Sequence, residues 1–472
     1  MPGLCRRGEM FGKKEEILRH KINMRAEQII PASFLLVILI GTLLLMLPAA
    51  TVEGEHTSLL TALFTSTTSV CVTGLVVVDT FAHWTLFGKI IILVLIQLGG
   101  LGAVSVMSMI MLLLSRKFSL AERNLLQDAF NLDSRRGLLT FLIRVFKATA
   151  IVEGSGAILY AVRFIPAHGA IKGIWYSVFH SVSAFCNAGI DILGPDSLMK
   201  YNSDPFIMAV TMYLIIMGGL GFIVYFDIVD RVREGRKSEF GIGRIITRLS
   251  EHSRMVLKIT AVLIIGGALF VFFAEKDNPG TMGNMSMFDK CFNSLFQSVT
   301  FRTAGFATVP QENLSGLSCV LGYILMFIGG SPIGTAGGVK TVTFIIVVVN
   351  AVAFIRGRNE TIIAKRRVSE NMIRKAAAII TVSLATVIFM TVVIMASEGL
   401  GMDDAAYEVV SALATVGLSR GVTGTLSSLG RVTIIICMYL GRIGPISMAI
   451  FFTRRRAEAN SIAYSEGHFF VG

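Results

Sequence analysis

A short glycine-centred stretch recurs four times along the chain at nearly equal spacing. The four copies read 65-TSTTSVCVTGL-75, 180-HSVSAFCNAGI-190, 296-FQSVTFRTAGF-306 and 408-EVVSALATVGL-418. Their anchor glycines, Gly74, Gly189, Gly305 and Gly417, are separated by 115, 116 and 112 residues. Self-similarity at a fixed period predicts that the chain contains four copies of one structural unit.

The copies lie among apolar segments that are long enough to cross a bilayer. The 472 residues are 53% hydrophobic and 16% charged, which is more apolar and less charged than soluble proteins are. Segments of the required length, about 20 residues, recur near 30–49, 86–114, 141–165, 205–226, 255–274, 376–397 and 428–452, and an interrupted segment at 314–355 makes an eighth. We therefore predict an all-α polytopic membrane protein surrounded by the lipid bilayer.

Basic residues concentrate in every second connection between these segments. Of 43 lysines and arginines, 32 lie within 1–26, 116–147, 231–258, 356–375 and 454–456. The positive-inside rule then places both termini in the cytoplasm. This placement explains the net charge of +12 without a nucleic-acid partner, and a surface that binds anionic lipid is equally compatible with it.

Each copy also contains a segment that is apolar but too short to span. These segments cover residues 58–70, 172–185, 288–300 and 403–414, and each is followed 24 to 29 residues after its anchor glycine by a second cluster: 99-GGLG-102, 218-GGLG-221, 329-GGSPIG-334 and 441-GRIG-444. Non-helical backbone at membrane depth needs surrounding protein or a water-filled cavity. Each repeat should therefore be helix, re-entrant pore helix, filter loop and helix.

This pattern divides the chain into units. We predict a cytoplasmic segment at 1–26, repeats at 27–115, 116–230, 231–355 and 356–453, and a cytoplasmic tail at 454–472. The fold would contain eight long transmembrane helices, one of them broken, and four re-entrant helices. The six cysteines lack metal-ligand spacing, and the basic N-terminal segment has no apolar core before residue 29, so neither a metal cluster nor a cleaved signal peptide is expected.

Four filter loops that converge on one axis would surround a narrow path with backbone carbonyls, which can replace the water shell of K⁺. The predicted ion-binding residues are Val72, Thr73, Gly74, Asn187, Ala188, Gly189, Thr303, Ala304, Gly305, Thr415, Val416 and Gly417. The side chains of Thr73, Asn187, Thr303 and Thr415 could tether the loops or add ligands. Close helix packing explains any one of the glycines equally well, but not four in register.

The stretch 329-GGSPIGTAGGVK-340 interrupts the second helix of repeat three. Proline removes a backbone donor, and the glycines free the backbone, so we predict an intramembrane loop that plugs the pore as a gate. A kink that fits a crowded interface is the alternative. The predicted gate residues are Gly329, Gly330, Ser331, Pro332, Ile333, Gly334, Thr335, Ala336, Gly337, Gly338, Lys340 and Arg442.

Arg442 stands where the other repeats have Gly100, Gly219 and Gly330. A charge at the helix centre costs about 2.5–3.5 kcal/mol on insertion scales, which favours a functional role. It could face the pore as a positive barrier or form a salt bridge with Glu153. Lys340 could tie the gate stretch down or extend its amine to the membrane surface, and Arg302 is expected to brace the outer loop.

With the loops TGL, NAGI, TAGF and VGL and the stretch GGSPIGTAGGVK, the whole chain resembles the Trk/Ktr/HKT superfamily of potassium-translocating subunits, most closely the bacterial Ktr membrane subunits. The resemblance implies four units around one central pore and a gate at the intramembrane loop. It implies K⁺ as the transported ion, favoured over Na⁺ by Gly74, with Na⁺ as a candidate activator. It also implies a homodimer in the bacterial plasma membrane, with a cytoplasmic ring of nucleotide-binding RCK subunits that responds to ATP and ADP.

Two other functions fit the sequence less well. A secondary transporter for a small solute, with glycine-broken helices, predicts repeats of inverted topology. Each repeat here contains two crossings, so all four keep one orientation. An intramembrane enzyme would need a Ser/Lys pair, paired aspartates or a histidine-rich zinc site at matching depth. No such constellation occurs in the sequence, so we expect no enzyme activity and no covalently bound cofactor.

Overall fold

The computed structural model describes residues 26–53, 56–102, 138–237 and 246–444. Apart from Ala26, the predicted terminal segments 1–26 and 454–472 lie outside these ranges. Fifteen helices are described: α1 Ala26–Leu45, α2 Leu59–Val70, α3 Thr80–His83, α4 Leu86–Leu101, α5 Leu138–His168, α6 Ala170–Phe185, α7 Pro205–Gly219, α8 Phe222–Lys237, α9 Glu251–Glu275, α10 Met287–Thr300, α11 Gly316–Phe327, α12 Thr341–Ile355, α13 Glu370–Glu398, α14 Met402–Leu413 and α15 Ser428–Ile443. A two-stranded antiparallel hairpin, β1 Ile362–Ile363 and β2 Arg366–Arg367, joins α12 to α13.

The helices follow the repeated order predicted from the glycine spacing. The short helices α2, α6, α10 and α14 begin and end within two residues of the four predicted pore helices. Each is preceded by a longer helix, namely α1, α5, α9 and α13. The second helices of the repeats are α4, α7 with α8, α11 with α12, and α15.

Local sequence explains where several of these helices begin. Ser58 accepts a hydrogen bond from the Thr61 amide and caps α2, and Ser286 caps α10 in the same way. Thr85, Ser315 and Ser427 cap the second helices α4, α11 and α15. A hydroxyl at this position binds an amide that has no partner within its own helix.

Three described helices are long and apolar enough to cross a membrane: Thr140–His168, Glu251–Glu275 and Glu370–Glu398. They are the first helices of repeats two, three and four. Ile388 and Phe389 of α13 are 65% and 64% exposed, as expected of side chains that face lipid. The pore helices differ, because the hydroxyls of α2 from Thr65 to Ser69 are buried inside the protein.

The prediction of a single broken helix needs correction, because the second helix of repeat two is also broken. Helices α7 and α8 meet at an angle of 100°. In repeats one and four, α4 and α15 end at the glycine cluster too, and the residues that directly follow Gly102 and Gly444 lie outside the described ranges. Of the predicted membrane-spanning segments 86–114 and 428–452, the structure therefore describes only the parts up to residues 102 and 444.

Close packing beneath the pore helices explains where these helices end. In repeats one, two and four, the first glycine of the cluster lies against the carbonyl oxygen of the last residue of its own pore helix. A Cβ atom would lie 2.0 Å from that oxygen at Gly99 against Val70, at Gly218 against Phe185 and at Gly441 against Leu413. Because the backbone is so close to the pore-helix end, we infer that no residue with a side chain fits there.

Candidate functional site

The four filter loops form a closed ring in which each anchor glycine lies against the loop of the next repeat. A Cβ atom at the glycine would meet the carbonyl oxygen of the residue before the next glycine. The pairs are Gly74 with Ala188 (2.4 Å), Gly189 with Ala304 (2.6 Å), Gly305 with Val416 (2.6 Å) and Gly417 with Thr73 (2.1 Å). The four loops therefore surround one axis in the order one, two, three, four.

Each filter loop contains two residues whose backbone is in the left-handed region. The anchor glycines have φ angles between 65° and 100°. Two residues earlier, non-glycine residues also have positive φ: Val72 (55°), Asn187 (59°), Thr303 (67°) and Thr415 (52°). Such angles are strained for residues with a side chain and persist where the surroundings impose them, often at functional sites. Val72, and not Thr73, is thus the counterpart of Asn187 in repeat one.

Hydroxyls of the pore helices hold the loops in place. Gly74 N donates to Thr68 Oγ1 (3.0 Å) and Gly417 N donates to Ser411 Oγ (3.1 Å). In the other repeats the hydroxyl donates instead, from Ser183 to Ile190 O and from Thr300 to Phe306 O, both at 2.6 Å. We did not predict these four residues, although they lie five or six positions before the anchor glycines.

The side chains predicted as tethers have a different environment. Within the described residues, the buried hydroxyls of Thr73, Thr303 and Thr415 have no hydrogen-bond partner. They therefore do not tether the loops. When its amide is oriented to satisfy both groups, Asn187 Nδ2 donates to Ala184 O (3.1 Å) and Ile215 O (3.3 Å). Among these four side chains, the contacts of the described residues make Asn187 alone a tether.

Repeat three has one more residue between its pore helix and its glycine than the other repeats have. Four positions separate Val70 from Gly74, but five separate Thr300 from Gly305. Arg302 lies in the turn after this helix end and is buried, and its Nη2 donates to Gly329 O (3.1 Å). The expectation that Arg302 braces the outer loop is therefore wrong, because it binds the gate stretch.

The gate stretch folds back on itself between α11 and α12. Gly329 N donates to Val339 O (3.0 Å), and Val339 N donates to Phe327 O (3.0 Å). Thr341 N, at the start of α12, donates to Gly330 O (3.1 Å). The two ends of the loop are therefore joined, and the interruption leaves a compact loop of 13 residues, 328–340.

Repeat two supplies the partners for the rest of this loop. Ser331 N donates to Gly219 O (2.9 Å), and Phe222 N donates to Ile333 O (2.9 Å). Thr335 Oγ1 donates to Phe185 O (2.9 Å) at the end of pore helix α6. The backbone groups freed by the break between α7 and α8 thus form hydrogen bonds with those of the repeat-three loop. Backbone groups that are buried in a membrane need such partners. A simple kink would not have these contacts.

The loop also touches the filter loop of repeat four. A Cβ atom at Gly337 would lie 1.9 Å from Thr415 Oγ1 and 2.7 Å from Ala414 O. Lys340 ties the loop to itself, because its Nζ donates to Ala336 O (2.6 Å). This lysine therefore makes a contact to a carbonyl and not, within the described residues, to an acid.

Arg442 connects the loop to repeats one and four. Its Nη1 donates to Thr335 O (2.7 Å), and its Nη2 donates to Gly100 O (3.2 Å) and to Gly99 O. The alternative salt bridge to Glu153 is wrong, because Glu153 accepts from Gln97 Nε2 (3.2 Å) instead. The carbonyls exposed by the helix breaks are nearer to the guanidinium than that carboxylate is.

A cavity of about 420 Å³ lies on the opposite side of the filter from the gate loop, and all four anchor glycines line it. Its wall carries four carboxylates, from Asp79, Asp191, Asp196 and Glu312. Burial raises the pKa of Asp191 to about 7, against hydrogen bonds from Leu193 N and Ser197, and the nearby charges of Asp79 and Asp196 also raise that pKa.

Behind the filter, repeats three and four each have a side-chain bridge between pore helix and outer loop. Gln297 Nε2 donates to Gln311 Oε1 (2.7 Å), and Thr423 Oγ1 donates to Glu408 Oε1. Gln311 and Thr423 both lie six residues after their anchor glycines. Glu408 is fully buried, and its Oε2 has no partner among the described residues. We did not predict these bridges. Gln311 and Thr423 match in the alignment on the anchor glycines, but Gln297 and Glu408 lie eight and nine residues before their glycines and are offset by one position.

Comparison with known proteins identifies the family. The profile described as TrkH, cation transport protein, matches residues 10–463, which is nearly the whole chain. The chain belongs to the TrkH cation transport family. This assignment and the apolar helices make it a multi-pass membrane protein, and the family is one of transporters and not of enzymes.

Several relatives match this TrkH-family chain over nearly their full length. It is 35% identical to "Ktr system potassium uptake protein B" of Bacillus subtilis over 98% of this chain and 99% of the relative. It is 35% identical to "Potassium/sodium uptake protein NtpJ" of Enterococcus hirae over 94% and 97%. It is 33% identical to "Ktr system potassium uptake protein B" of Vibrio alginolyticus over 96% of both chains.

A solved structure has the same fold as this TrkH-family chain. The potassium transporter TrkH from Vibrio parahaemolyticus superposes with a TM-score of 0.68 over 92% of this chain and 86% of that one. The two sequences are 18% identical. This likeness supports the order of helices and pore helices described above.

We predict that the loss of stability on replacing Glu408 depends on whether the new side chain can still accept a hydrogen bond. Glu408→Ala removes the acceptor of Thr423 and leaves a cavity, so it should lower the free energy of unfolding by about 2–4 kcal/mol. Glu408→Gln keeps an acceptor of the same shape and should stay within about 1 kcal/mol of the parent chain. Thermal unfolding of the purified protein in detergent measures both, with Glu312→Ala, an exposed carboxylate, as control. Equal melting temperatures for the alanine and glutamine variants would contradict the bridge.

Proposed function

We propose that this chain carries K⁺ across the membrane through the pore that its four filter loops enclose. The observation that carries this proposal is the closed ring of loops, in which no Cβ atom fits at any of the four glycines. The potassium uptake named for the Bacillus subtilis and Enterococcus hirae relatives supports the choice of ion. A solute that needs a wide binding pocket does not suit this contact between loops.

The ion would bind to backbone carbonyls of the filter residues. The residues are Val72, Thr73, Gly74, Asn187, Ala188, Gly189, Thr303, Ala304, Gly305, Thr415, Val416 and Gly417. Carbonyl oxygens from four loops can replace the water around a K⁺ ion without any full negative charge. The hydroxyls of Thr303 and Thr415, which have no partner within the described residues, are available as additional ligands. The carbonyl ends of the four pore helices favour a cation at the inner end of the filter.

The loop 328–340 would act as the gate. It connects repeats two, three and four through hydrogen bonds, and Gly337 lies directly against Thr415. Arg442 places a guanidinium at this level, where it repels a cation. Opening would require the loop to move away from the filter, while the pore helices keep their packing.

The four carboxylates of the outer cavity would attract K⁺ before it enters the filter. A cleft lined by one sign of charge raises the local concentration of the opposite ion. Asp191 is the member of this group whose charge changes near neutral pH, because burial raises its pKa to about 7.

We further propose the cellular setting of this pore. The distribution of basic residues supports cytoplasmic termini, and the bacterial relatives support a bacterial plasma membrane. The word "system" in the name of the Ktr relatives supports a partner, which we propose to be a cytoplasmic ring of RCK subunits that responds to ATP and ADP. A homodimer of this chain completes the proposal. We propose Na⁺ as an activator; the name of the Enterococcus hirae relative, which includes sodium uptake, supports an interaction of such a pore with Na⁺.

Replacing Gly74 should weaken the preference for K⁺. In Gly74→Ser the added Cβ would meet Ala188 O at a backbone φ of 100°, so the ring must distort. In uptake measurements with proteoliposomes, we expect the selectivity for K⁺ over Na⁺ to fall at least about tenfold, which is equivalent to about 1.4 kcal/mol. Gly424→Ser is the matched control, because nothing lies within 4 Å of its Cβ position. Monovalent cation flux that is absent, or whose selectivity is equal in both variants, would contradict the proposal.

Loosening the gate loop should raise flux. Arg442→Gln removes the bonds to Thr335 O and to repeat one, so basal uptake without a partner subunit should rise several-fold. Partial deletion of residues 331–338 should act in the same direction. Arg431→Gln, which removes another arginine of α15 that donates to carbonyls, is the control and should leave flux unchanged. Unchanged flux in the Arg442 variant and in the deletion would count against the gate.

Uptake should depend on pH through Asp191. Because its pKa is raised to about 7, this carboxyl is mostly neutral at pH 6 and mostly charged at pH 8. At low K⁺ and low ionic strength, uptake should therefore rise from pH 6 to pH 8, and Asp191→Asn should abolish the rise. Asp196→Asn removes a charge from the same cavity and should keep the rise at a lower overall rate. If uptake still rises with pH in Asp191→Asn, another titrating group causes the pH dependence.

A further inference from the structure

A second cavity, of about 250 Å³, lies beside the gate loop, and all its described lining belongs to repeats three and four. One stripe of α13 forms a wall, with Lys375, Ile379, Ser383 and Val387 each four residues apart. Side chains at this spacing share one face of a helix. The cavity thus follows α13 for twelve residues, about 18 Å at the helical rise, from near its first turn towards the pore helix α14.

The two ends of this cavity differ in chemistry. Lys375 lies at the end near the start of α13, and Lys340 and Arg442 add two more cations to the lining. The deep end is apolar, with Val387 of α13 and Val410 of α14. No acidic side chain lines the cavity among the described residues, and none of its three cations has an acid partner within 4 Å there. Along α13 the lining therefore changes from basic to apolar, and two further cations lie beside the gate loop.

We propose that this cavity binds an anionic phospholipid from the leaflet at the start of α13. The phosphate would lie between Lys375 and Lys340, and one acyl chain would lie along Ile379 and Val387. Basic pockets between transmembrane helices bind the headgroups of anionic lipids. A free phosphate ion would leave the apolar wall uncovered, and a zwitterionic lipid would bring no net negative charge to the three cations.

Such a lipid would contact the loop 328–340 directly. Its effect on ion flux rests on the proposed function of this loop as the gate. Gly337 and Gly338 of the loop line the same cavity. Gly337 also lies against Thr415 of the filter. A bound acyl chain therefore favours the loop position in which the cavity keeps this shape, and lipid and loop movement are coupled.

Native mass spectrometry of the purified full chain tests the binding itself, independently of ion flux. The protein is incubated with phosphatidylglycerol or with phosphatidylcholine of the same acyl chains. Lys375→Gln, at the exposed mouth, should reduce retained phosphatidylglycerol about tenfold, and Ser383→Phe should fill the cavity and exclude it. Arg374→Gln is the matched control, because this neighbouring arginine is paired with Glu370, is 79% exposed and does not line the cavity.

The pattern of lipid retention among these variants distinguishes a phospholipid site from the alternatives. Retention of phosphatidylglycerol by the parent chain and Arg374→Gln, with loss in Lys375→Gln, supports the site. Equal retention of both lipids, or equal retention by the Lys375 and Arg374 variants, overturns it. Displacement of the lipid by millimolar inorganic phosphate alone would show a simple anion site. Lipid binding that appears only after removal of residues 445–472 would show that the chain's own segment fills the cavity, and this too overturns it. Flux with and without phosphatidylglycerol then tests the gate separately.

Discussion

The contact between each filter glycine and the carbonyl of the next repeat is the constraint on which the rest of the structure depends. At 2.1–2.6 Å from a Cβ position to an oxygen, this contact admits no side chain. The loops can approach so closely only if each is held from behind, which the hydroxyls of Thr68, Ser183, Thr300 and Ser411 do. The ends of the pore helices also pack against the glycine clusters Gly99, Gly218 and Gly441, at which the second helices of these repeats end.

The repeat and the pore helices could be predicted from the sequence because their signals are local. A short apolar segment followed by glycine at a fixed period defines each unit, and the four pore helices lie within two residues of the predicted bounds. The partners of Arg302 and Arg442 could not be predicted in this way. They are carbonyls freed by helix breaks, within the same repeat for Arg302 and in other repeats for Arg442, and only the folded arrangement brings them together. The break between α7 and α8 escaped prediction for the same reason.

Four repeats in one chain need not be identical, and the buried position three residues before each pore-helix hydroxyl illustrates this. Thr65, His180, Gln297 and Glu408 occupy it. In repeats three and four it bridges to the outer loop, through Gln311 and Thr423. In repeat two, His180 bonds to Tyr176 O of its own helix. A tetramer of identical subunits would repeat one such arrangement four times, whereas a single chain can stiffen two sides of the filter and leave the others less constrained.

The cations beside the gate loop are paired with carbonyls, and this choice of partner bears on how the loop can move. Separating a buried ion pair leaves an uncompensated charge, which costs about 3–5 kcal/mol. A hydrogen bond from a charged group to a neutral acceptor contributes about 1.5–3 kcal/mol, and water can replace the acceptor. Arg442 can therefore release Thr335 O at moderate cost when water enters the pore. Because carbonyls carry no net charge, the guanidinium also keeps its full positive charge while the loop is closed. A carboxylate in the same place would cancel the barrier to K⁺ and hold the loop more tightly.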